Sequence, residues 1–176
     1  MKLSIVIPVY NEATTILEIL NRVKAVNFGG EREIIVIDDG STDGTTQLLE
    51  SRIKNLESGI RIIFKERNEG KGAALRRGFQ EARGEIIAIQ DADLEYNPEE
   101  LPKLVQPILD GRAEAVYGRR IITENQPHYT LFAWGNKFLS LLFYLLYGRV
   151  IHDPSAGYKL FKKSILADLN LKSAKG

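Results

Sequence analysis

The sequence predicts an α/β fold built on a mainly parallel sheet, and three observations carry the prediction. Short apolar runs recur at Leu3–Val9, 33–37, Ile60–Phe64, 85–89 and 113–117, too continuous to alternate between a wet and a dry face. Strands of that kind are buried on both sides, as parallel strands are. Amphipathic stretches separate them at 13–26, Thr45–Ile53, 72–82 and 98–109, and strands alternating with helices build parallel sheets through right-handed crossovers. The chain has 176 residues, 44% hydrophobic and 27% charged, which is one domain's worth with room for a real core.

Each element has its own local reason. The first run is β-rich and meets Pro8 near its end, and the second holds Ile34, Ile35, Val36 and Ile37 in a row. Ile16, Leu17, Leu20 and Val23 recur at helical spacing in the stretch that follows the first run. Asn11 reads as the cap of that helix, with Glu12 favouring its positive end. Asp43 or Thr42 reads as the cap of the next. Pro98 stands at a first helical position after Asn97 as cap.

The segment 131–147 differs from these. It is apolar almost all round, through Leu131, Phe132, Trp134, Phe138, Leu139, Leu141, Leu142, Phe143, Leu145 and Leu146. Its unbroken part is shorter than the roughly 20 residues that span a bilayer. Two readings fit: a core helix, the simpler of the two, or a helix lying on a membrane surface with Trp134, Tyr144 and Tyr147 at headgroup level.

Composition excludes several classes of function. A net charge of +1 gives no broad field for phosphate backbones, so no nucleic-acid partner is expected. The absence of cysteine removes disulfides, thiolate nucleophiles and cysteine-bound zinc. The start, Met1-Lys2-Leu3-Ser4, runs straight into a strand, so no signal peptide is expected. His128 and His152 are isolated and read as ordinary residues. Gly70-Lys71-Gly72 lacks the spacing of a phosphate loop, and no Gly-x-Gly-x-x-Gly occurs.

Chemistry is expected at the carboxyl ends of the strands, where open parallel sheets bind ligands. Pro8-Val9-Tyr10-Asn11-Glu12 follows the first strand and Asp38-Asp39-Gly40-Ser41 the second. Gln90-Asp91-Ala92-Asp93 follows the fourth and Gly118-Arg119-Arg120 the fifth. Residues two apart in extended chain point the same way, so Asp91 and Asp93 can face one cavity. Two carboxylates without sulfur or imidazole suit a hard cation, Mg²⁺ or Mn²⁺. The plainer alternative is that Asp93 caps the following turn while Asp91 is merely solvated. Asp38 and Asp39 could accept hydrogen bonds from a base N–H or from ribose hydroxyls, or be turn residues. Lys71 reads equally as a cation near a nucleotide or as a solvated lysine at a helix start.

Taken together, the segments 4–12, 36–45, 68–72 and 90–93 resemble the family 2 glycosyltransferases of the GT-A fold, a Rossmann-like three-layer architecture. The resemblance is strongest to the group that makes dolichyl-phosphate mannose and other polyprenyl-phosphate sugars, through 91–100, 117–120, 135–137 and 153–159. It implies that Pro8, Tyr10, Glu12 and Asp39 line a nucleoside pocket. It implies that Asp91 and Ala92 sit against ribose and diphosphate, and that Asp93 is the main metal ligand. Asp91 and Glu95 would complete the metal set, Glu95 standing where relatives often carry Gln. Arg119 would neutralise a phosphate, and 157–159 would border the acceptor. Relatives in that family usually run further than this chain, so residues 1–176 read as a single domain, C-terminally truncated.

The expected activity is inverting, metal-dependent sugar transfer from a nucleotide-diphosphate sugar, of the GDP-mannose or UDP-glucose kind, to a polyprenyl phosphate. Such an acceptor is already anionic and needs cations rather than a base; Arg119, Arg120 and Lys159 are candidates. A saccharide hydroxyl as acceptor would need a base, for which Asp153 is the candidate. The expected location is cytoplasmic, peripheral on a membrane face. Two readings from other classes stand beside it: a phospho-accepting α/β signalling domain using Asp38, Asp39 and Asp91, and an inactive nucleotide-binding module.

Overall fold

Strand β1 (Leu3–Val9) is buried along its whole length, and the rest of the molecule is laid out around it. The computed structural model describes residues 2–53, 59–118 and 157–168. Arg119, Arg120, Asp153, the two histidines and the apolar segment 131–147 lie outside the described residues. On one side β1 pairs in parallel with β2 (Arg32–Asp38), and β2 pairs in parallel with β3 (Ile60–Phe64). On its other side β1 pairs in parallel with β4 (Ile86–Ile89). The sheet order is completed by β5 (Ala115–Tyr117) and β6 (Lys159–Lys162) as β3-β2-β1-β4-β6-β5.

β6 is a strand that the sequence reading did not include. It lies antiparallel to both β4 and β5. Two antiparallel pairings in succession leave β5 running the same way as β1 to β4, so its carboxyl end opens on the same edge. The sheet is therefore mostly parallel, with one reversed strand inserted.

Helices cover both faces. Alternate β1 residues Leu3, Ile5, Ile7 and Val9 meet Ile16, Ile19, Leu20 and Val23 of helix α1 (Ile16–Ala25), and the same layer holds Leu49 of α2 (Thr45–Ile53). Leu101, Val105 and Ile108 of α4 (Leu101–Leu109) extend it past a 3₁₀ turn at Pro98–Glu100. Val6, Ile35, Ile37 and Ile87 face the other way, against α3 (Lys71–Glu81) and the short α5 (Ile165–Asp168). Crossovers of one hand place α1 and α2 on one face and α3 on the other, because the chain winds from β1 out to β3 and then back past β1 to β4. The three-layer α/β architecture follows from that alternation.

Polar groups inside the sheet are paired. Ser4 Oγ donates to Glu33 Oε1 at 2.7 Å, the Arg83 N–H donates to the same oxygen at 2.6 Å, and Arg61 lies 3.2 Å from Oε2. Burial pushes the Glu33 carboxyl up, but these hydrogen bonds and the Arg61 charge outweigh it and hold it below the ordinary glutamate value.

Candidate functional site at the switch point of the sheet

Strand order reverses at β1: the chain winds from β1 to β2 and β3, then crosses back to β4 on the other side. Open α/β sheets bind ligands at such a point, outside the carboxyl ends of the two strands that part there. A cavity of about 240 Å³ opens at that place. It is lined by Pro8, Val9, Tyr10 and Glu12 after β1, by Asp39 after β2, by Asn68, Lys71 and Ala74 before and in α3, and by Asp91, Ala92 and Asp93 after β4. A larger open groove of about 1300 Å³ runs along β3, α3 and α5, but it contains no residue of the acidic loop.

The wall after β1 is stitched to the segment after β2. The Asn11 N–H donates to Ser41 Oγ (2.9 Å), and Asn11 Oδ1 accepts from the Thr42 N–H (2.8 Å). The Glu12 N–H donates to Thr45 Oγ1 (2.9 Å), and the Ala13 N–H donates to Asp43 Oδ2 (3.1 Å). Asn11 is therefore a cross-link and not the cap of α1, and its backbone takes a left-handed φ of 57° to make it. The helix starts later than expected, at Ile16, because residues 11–13 are committed to these bonds. Asp43 accepts the Thr45 N–H at 3.0 Å and so caps α2 as expected. Asn97 precedes the 3₁₀ turn, but its side-chain oxygen accepts from Arg22 (2.8 Å) instead of capping. Tyr10 stands 44% exposed at the mouth.

The two acids after β2 have different tasks. Asp38 is turned inward and accepts from the Ser41 N–H and hydroxyl and from Thr46 Oγ1 at 2.5 Å. Asp39 faces the cavity. Its Oδ1 holds the Lys65 ammonium, and its Oδ2 accepts the N–H groups of Glu69 (3.1 Å) and Gly70 (2.8 Å). Burial disfavours the charge on Lys65, but the bonds to Asp39 and Glu69 outweigh that and raise it above the ordinary lysine value. Asp39 thereby ties down the β3–α3 loop.

The acidic loop leaves β4 from a fully buried Gln90. Gln90 Nε2 donates to the Asp91 carbonyl (2.9 Å), and Tyr158 donates its hydroxyl to Gln90 Oε1 (2.8 Å). Burial pushes the Tyr158 hydroxyl far up, so it remains a donor. Asp91 is nearly buried, and its Oδ1 lies 2.6 Å from the Lys71 ammonium. Gly157 packs so closely on it that a Cβ there would stand 2.6 Å from Asp91 Oδ2. Asp93 is exposed, and its Oδ1 accepts the Glu95 N–H (3.0 Å). The turn-capping role is thus real, and it leaves Asp93 Oδ2 without a partner among the described residues. Asp91 and Asp93 share the cavity because the chain bends past the strand, not through strand alternation.

Of the residues singled out from sequence, Pro8, Tyr10, Glu12, Asp39, Lys71, Asp91, Ala92 and Asp93 come together in this lining. Glu95 does not: Leu94 takes a φ of 61°, and Glu95 lies beyond that turn on the exposed side. Among the described residues no three acidic, histidine or cysteine side chains gather as a ready metal site, so Asp91, Asp93 and Glu95 are not one ligand cluster. A divalent ion of the Mg²⁺ type needs only one or two carboxylates when a substrate diphosphate supplies further oxygens. The partnerless oxygen of Asp93, at the cavity rim, fits that use. Val9, Asn68 and Ala74 were given no role; Asn68 sits at the carboxyl end of β3, an edge position that could have marked it.

A switch-point cavity lined by acids and by a lysine paired with one of them defines an α/β protein suited to an anionic ligand and a cation together. The chain belongs to glycosyl transferase family 2, whose model matches residues 4–169. It is 32% identical over 165 residues to an undecaprenyl-phosphate 4-deoxy-4-formamido-L-arabinose transferase of Pseudomonas paraeruginosa, covering 93% of this chain and 48% of the relative. It is 31% identical to a dolichol-phosphate mannosyltransferase of Pyrococcus furiosus, covering 97% and 49%. The chain thus spans about half the length of the curated relatives it matches.

Solved structures agree on the architecture. A glucosyl-3-phosphoglycerate synthase of Mycobacterium tuberculosis, in complex with Mn²⁺, UDP and glucosyl-3-phosphoglycerate, superposes with a TM-score of 0.72 at 26% identity, over 96% of this chain and 59% of that one. A mannosyltransferase of Pyrobaculum calidifontis, in complex with GDP-Man and Mn²⁺, shares the fold with a TM-score of 0.67 at 22% identity, over 96% and 46%. The fold is the GT-A glycosyltransferase fold that the motifs implied.

Proposed function

We propose that this chain is the nucleotide-sugar-binding part of a metal-dependent, inverting glycosyltransferase whose acceptor is a polyprenyl phosphate. The observation that carries the reading is the single cavity shared by the β1 loop, Asp39, Lys71 and the Asp91–Asp93 loop. The names of the relatives, an undecaprenyl-phosphate and a dolichol-phosphate sugar transferase, support the acceptor class.

In this reading the nucleoside lies along Pro8, Tyr10, Glu12 and Asp39, and the diphosphate lies toward Lys71 and the acidic loop. Asp93 would hold Mg²⁺ or Mn²⁺, with Asp91 as the second carboxylate of the same loop. The bound ion supplies positive charge to the departing diphosphate. Lys71 adds a second cation from the start of α3. An acceptor phosphate is already anionic, so the chain's task is to hold it in line with the sugar, through Arg119, Arg120 and Lys159. A lipid acceptor brings the protein to a membrane face, with 131–147 as the contacting segment; among the described residues no helix is long and apolar enough to cross a membrane. With a hydroxyl acceptor, Asp153 would serve as the base.

A thermal-shift panel of nucleoside diphosphates and their sugars, with Mn²⁺ or with chelator, tests the reading. UDP or GDP should raise the melting temperature in Mn²⁺, and the rise should shrink in chelator. Equal stabilisation in both conditions would remove the metal from the account, and no stabilisation by any nucleotide would remove the donor site.

A further inference from the structure

Asn68 lines the nucleotide cavity and is held there from two sides. Its Oδ1 accepts the Gly70 N–H at 2.8 Å, and the same N–H also reaches Asp39 Oδ2 at 2.8 Å. Behind it, Gly40 takes a φ of +74°, and a Cβ there would stand 2.6 Å from the Arg67 carbonyl carbon and 2.8 Å from the Asn68 nitrogen. The loop backbone is therefore clamped onto the end of β2, where only glycine fits. Fixing Oδ1 as the acceptor also fixes which end of the amide is which. What Asn68 can still offer is its NH₂ group, a pure donor, which has no partner among the described residues.

The position of this donor matters. Asp39 and Gly40 lie at the end of β2, two strand spacings, about 10 Å, from the β4 end that carries the acidic loop. A nucleoside diphosphate extended with its phosphates at Asp91 and Asp93 carries its base to that distance. We infer that Asn68 determines base specificity: its amide donor selects a base with a carbonyl oxygen at the facing edge, uracil or guanine, against cytosine or adenine, which carry an amino group there. Two donors facing each other leave both unpaired, and sites built to hydrogen-bond one group reject the analogue that lacks it. The inference rests on the nucleotide-diphosphate reading above.

Cytosine carries an amino group where uracil has O4 and lacks the N3 proton, and adenine differs from guanine at C6, N1 and C2, so the change of the UDP/CDP ratio in an Asn68 variant, rather than the wild-type preference alone, isolates the contact. Calorimetry of the full chain in Mn²⁺ should show UDP bound over CDP, and GDP over ADP, by about tenfold. Asn68→Asp keeps an acceptor for the Gly70 N–H, so the loop and the melting temperature should hold, but it replaces the donor by a second acceptor. Its added charge repels the phosphates of both nucleotides in a pair alike, so the UDP/CDP ratio reports the base alone. That ratio should fall about tenfold or invert. A wild-type ratio near one, or one favouring CDP and ADP, overturns the inference while leaving the nucleotide site intact, and so does an unchanged ratio in the variant. Failure of every nucleoside diphosphate to bind the wild type overturns both readings.

Discussion

The ammonium of Lys71 sits 2.6 Å from Oδ1 of Asp91, which ties the start of α3 to the loop after β4 at the cavity they both line. Lys71 is 57% exposed at its side chain and Asp91 only 10%. The lysine can therefore follow an arriving phosphate, whereas the aspartate stays in place. Lys71→Met should lower stability by only about 1 kcal/mol, because the lysine end of the pair is screened by solvent. It should weaken UDP or GDP about tenfold, since a charged hydrogen bond is lost. Calorimetry beside a thermal melt separates the two effects; unchanged nucleotide affinity would leave Lys71 as a counter-ion of Asp91 and nothing more.

Asp93 should behave differently. Its side chain is exposed and caps one N–H, so Asp93→Ala should change the melting temperature of the free protein little. The variant should lose the part of nucleotide stabilisation that depends on Mn²⁺, and Asp93→Asn should keep a weak remnant through its neutral oxygen. Full Mn²⁺ dependence in Asp93→Ala would assign the metal to other residues.

Asp39 ties down the β3–α3 loop and, in the proposed reading, faces the nucleoside. Its removal leaves the Glu69 N–H without its acceptor and takes one of two partners from the Lys65 ammonium, which keeps Glu69, and from the Gly70 N–H, which keeps Asn68. Asp39→Ala should therefore cost about 3 kcal/mol of stability and weaken nucleotides equally with and without chelator. Normal binding in chelator would reduce Asp39 to a turn residue.

The extent to which the sequence foretold this arrangement varied with the kind of signal. β1, β3 and α2 begin and end where their sequence patterns do; for β1, burial along its whole length leaves no choice of residue type, whereas β3 is half-buried throughout. β6 has only Leu160 and Phe161 between lysines, and it becomes a strand through pairing with β4, some seventy residues away in the chain. The start of α1 was misplaced because Asn11 and Ala13 bond to the segment after β2, a contact across about thirty residues that no local pattern carries. The acidic loop was legible as chemistry, since carboxylates at the end of a buried strand need a reason. The mutual exclusion of Glu95 from that cavity depends on one backbone angle at Leu94 and was not legible. Asn68 opens one of the segments that carry the resemblance but received no role, because a single amide in a loop resembles any other turn residue until its oxygen is seen to be occupied.

Stability should fall with acid partly through Glu33. Its carboxyl is held below the ordinary value of 4.5 in the folded chain. A lowered folded value favours folding wherever the unfolded chain's glutamate is ionised, so the contribution is complete above that ordinary value and is lost as pH falls through the lower one. Glu33→Gln should therefore melt earlier than wild type at about pH 7, and the gap should close toward about pH 3. A gap that is constant across that range would mean that the Glu33 charge contributes nothing.

The account stands most directly on the claim that a divalent ion and a nucleoside diphosphate meet at the Asp91–Asp93 loop. Paramagnetic broadening of backbone amide signals by Mn²⁺, recorded with and without UDP or GDP and compared with Mg²⁺, measures where the ion sits. The prediction is broadening confined to the amides of Ala92 to Glu95 and to those near Lys71, strengthened by the nucleotide and absent in Asp93→Ala. Broadening centred elsewhere, or broadening at the loop that the nucleotide leaves unchanged, would contradict it.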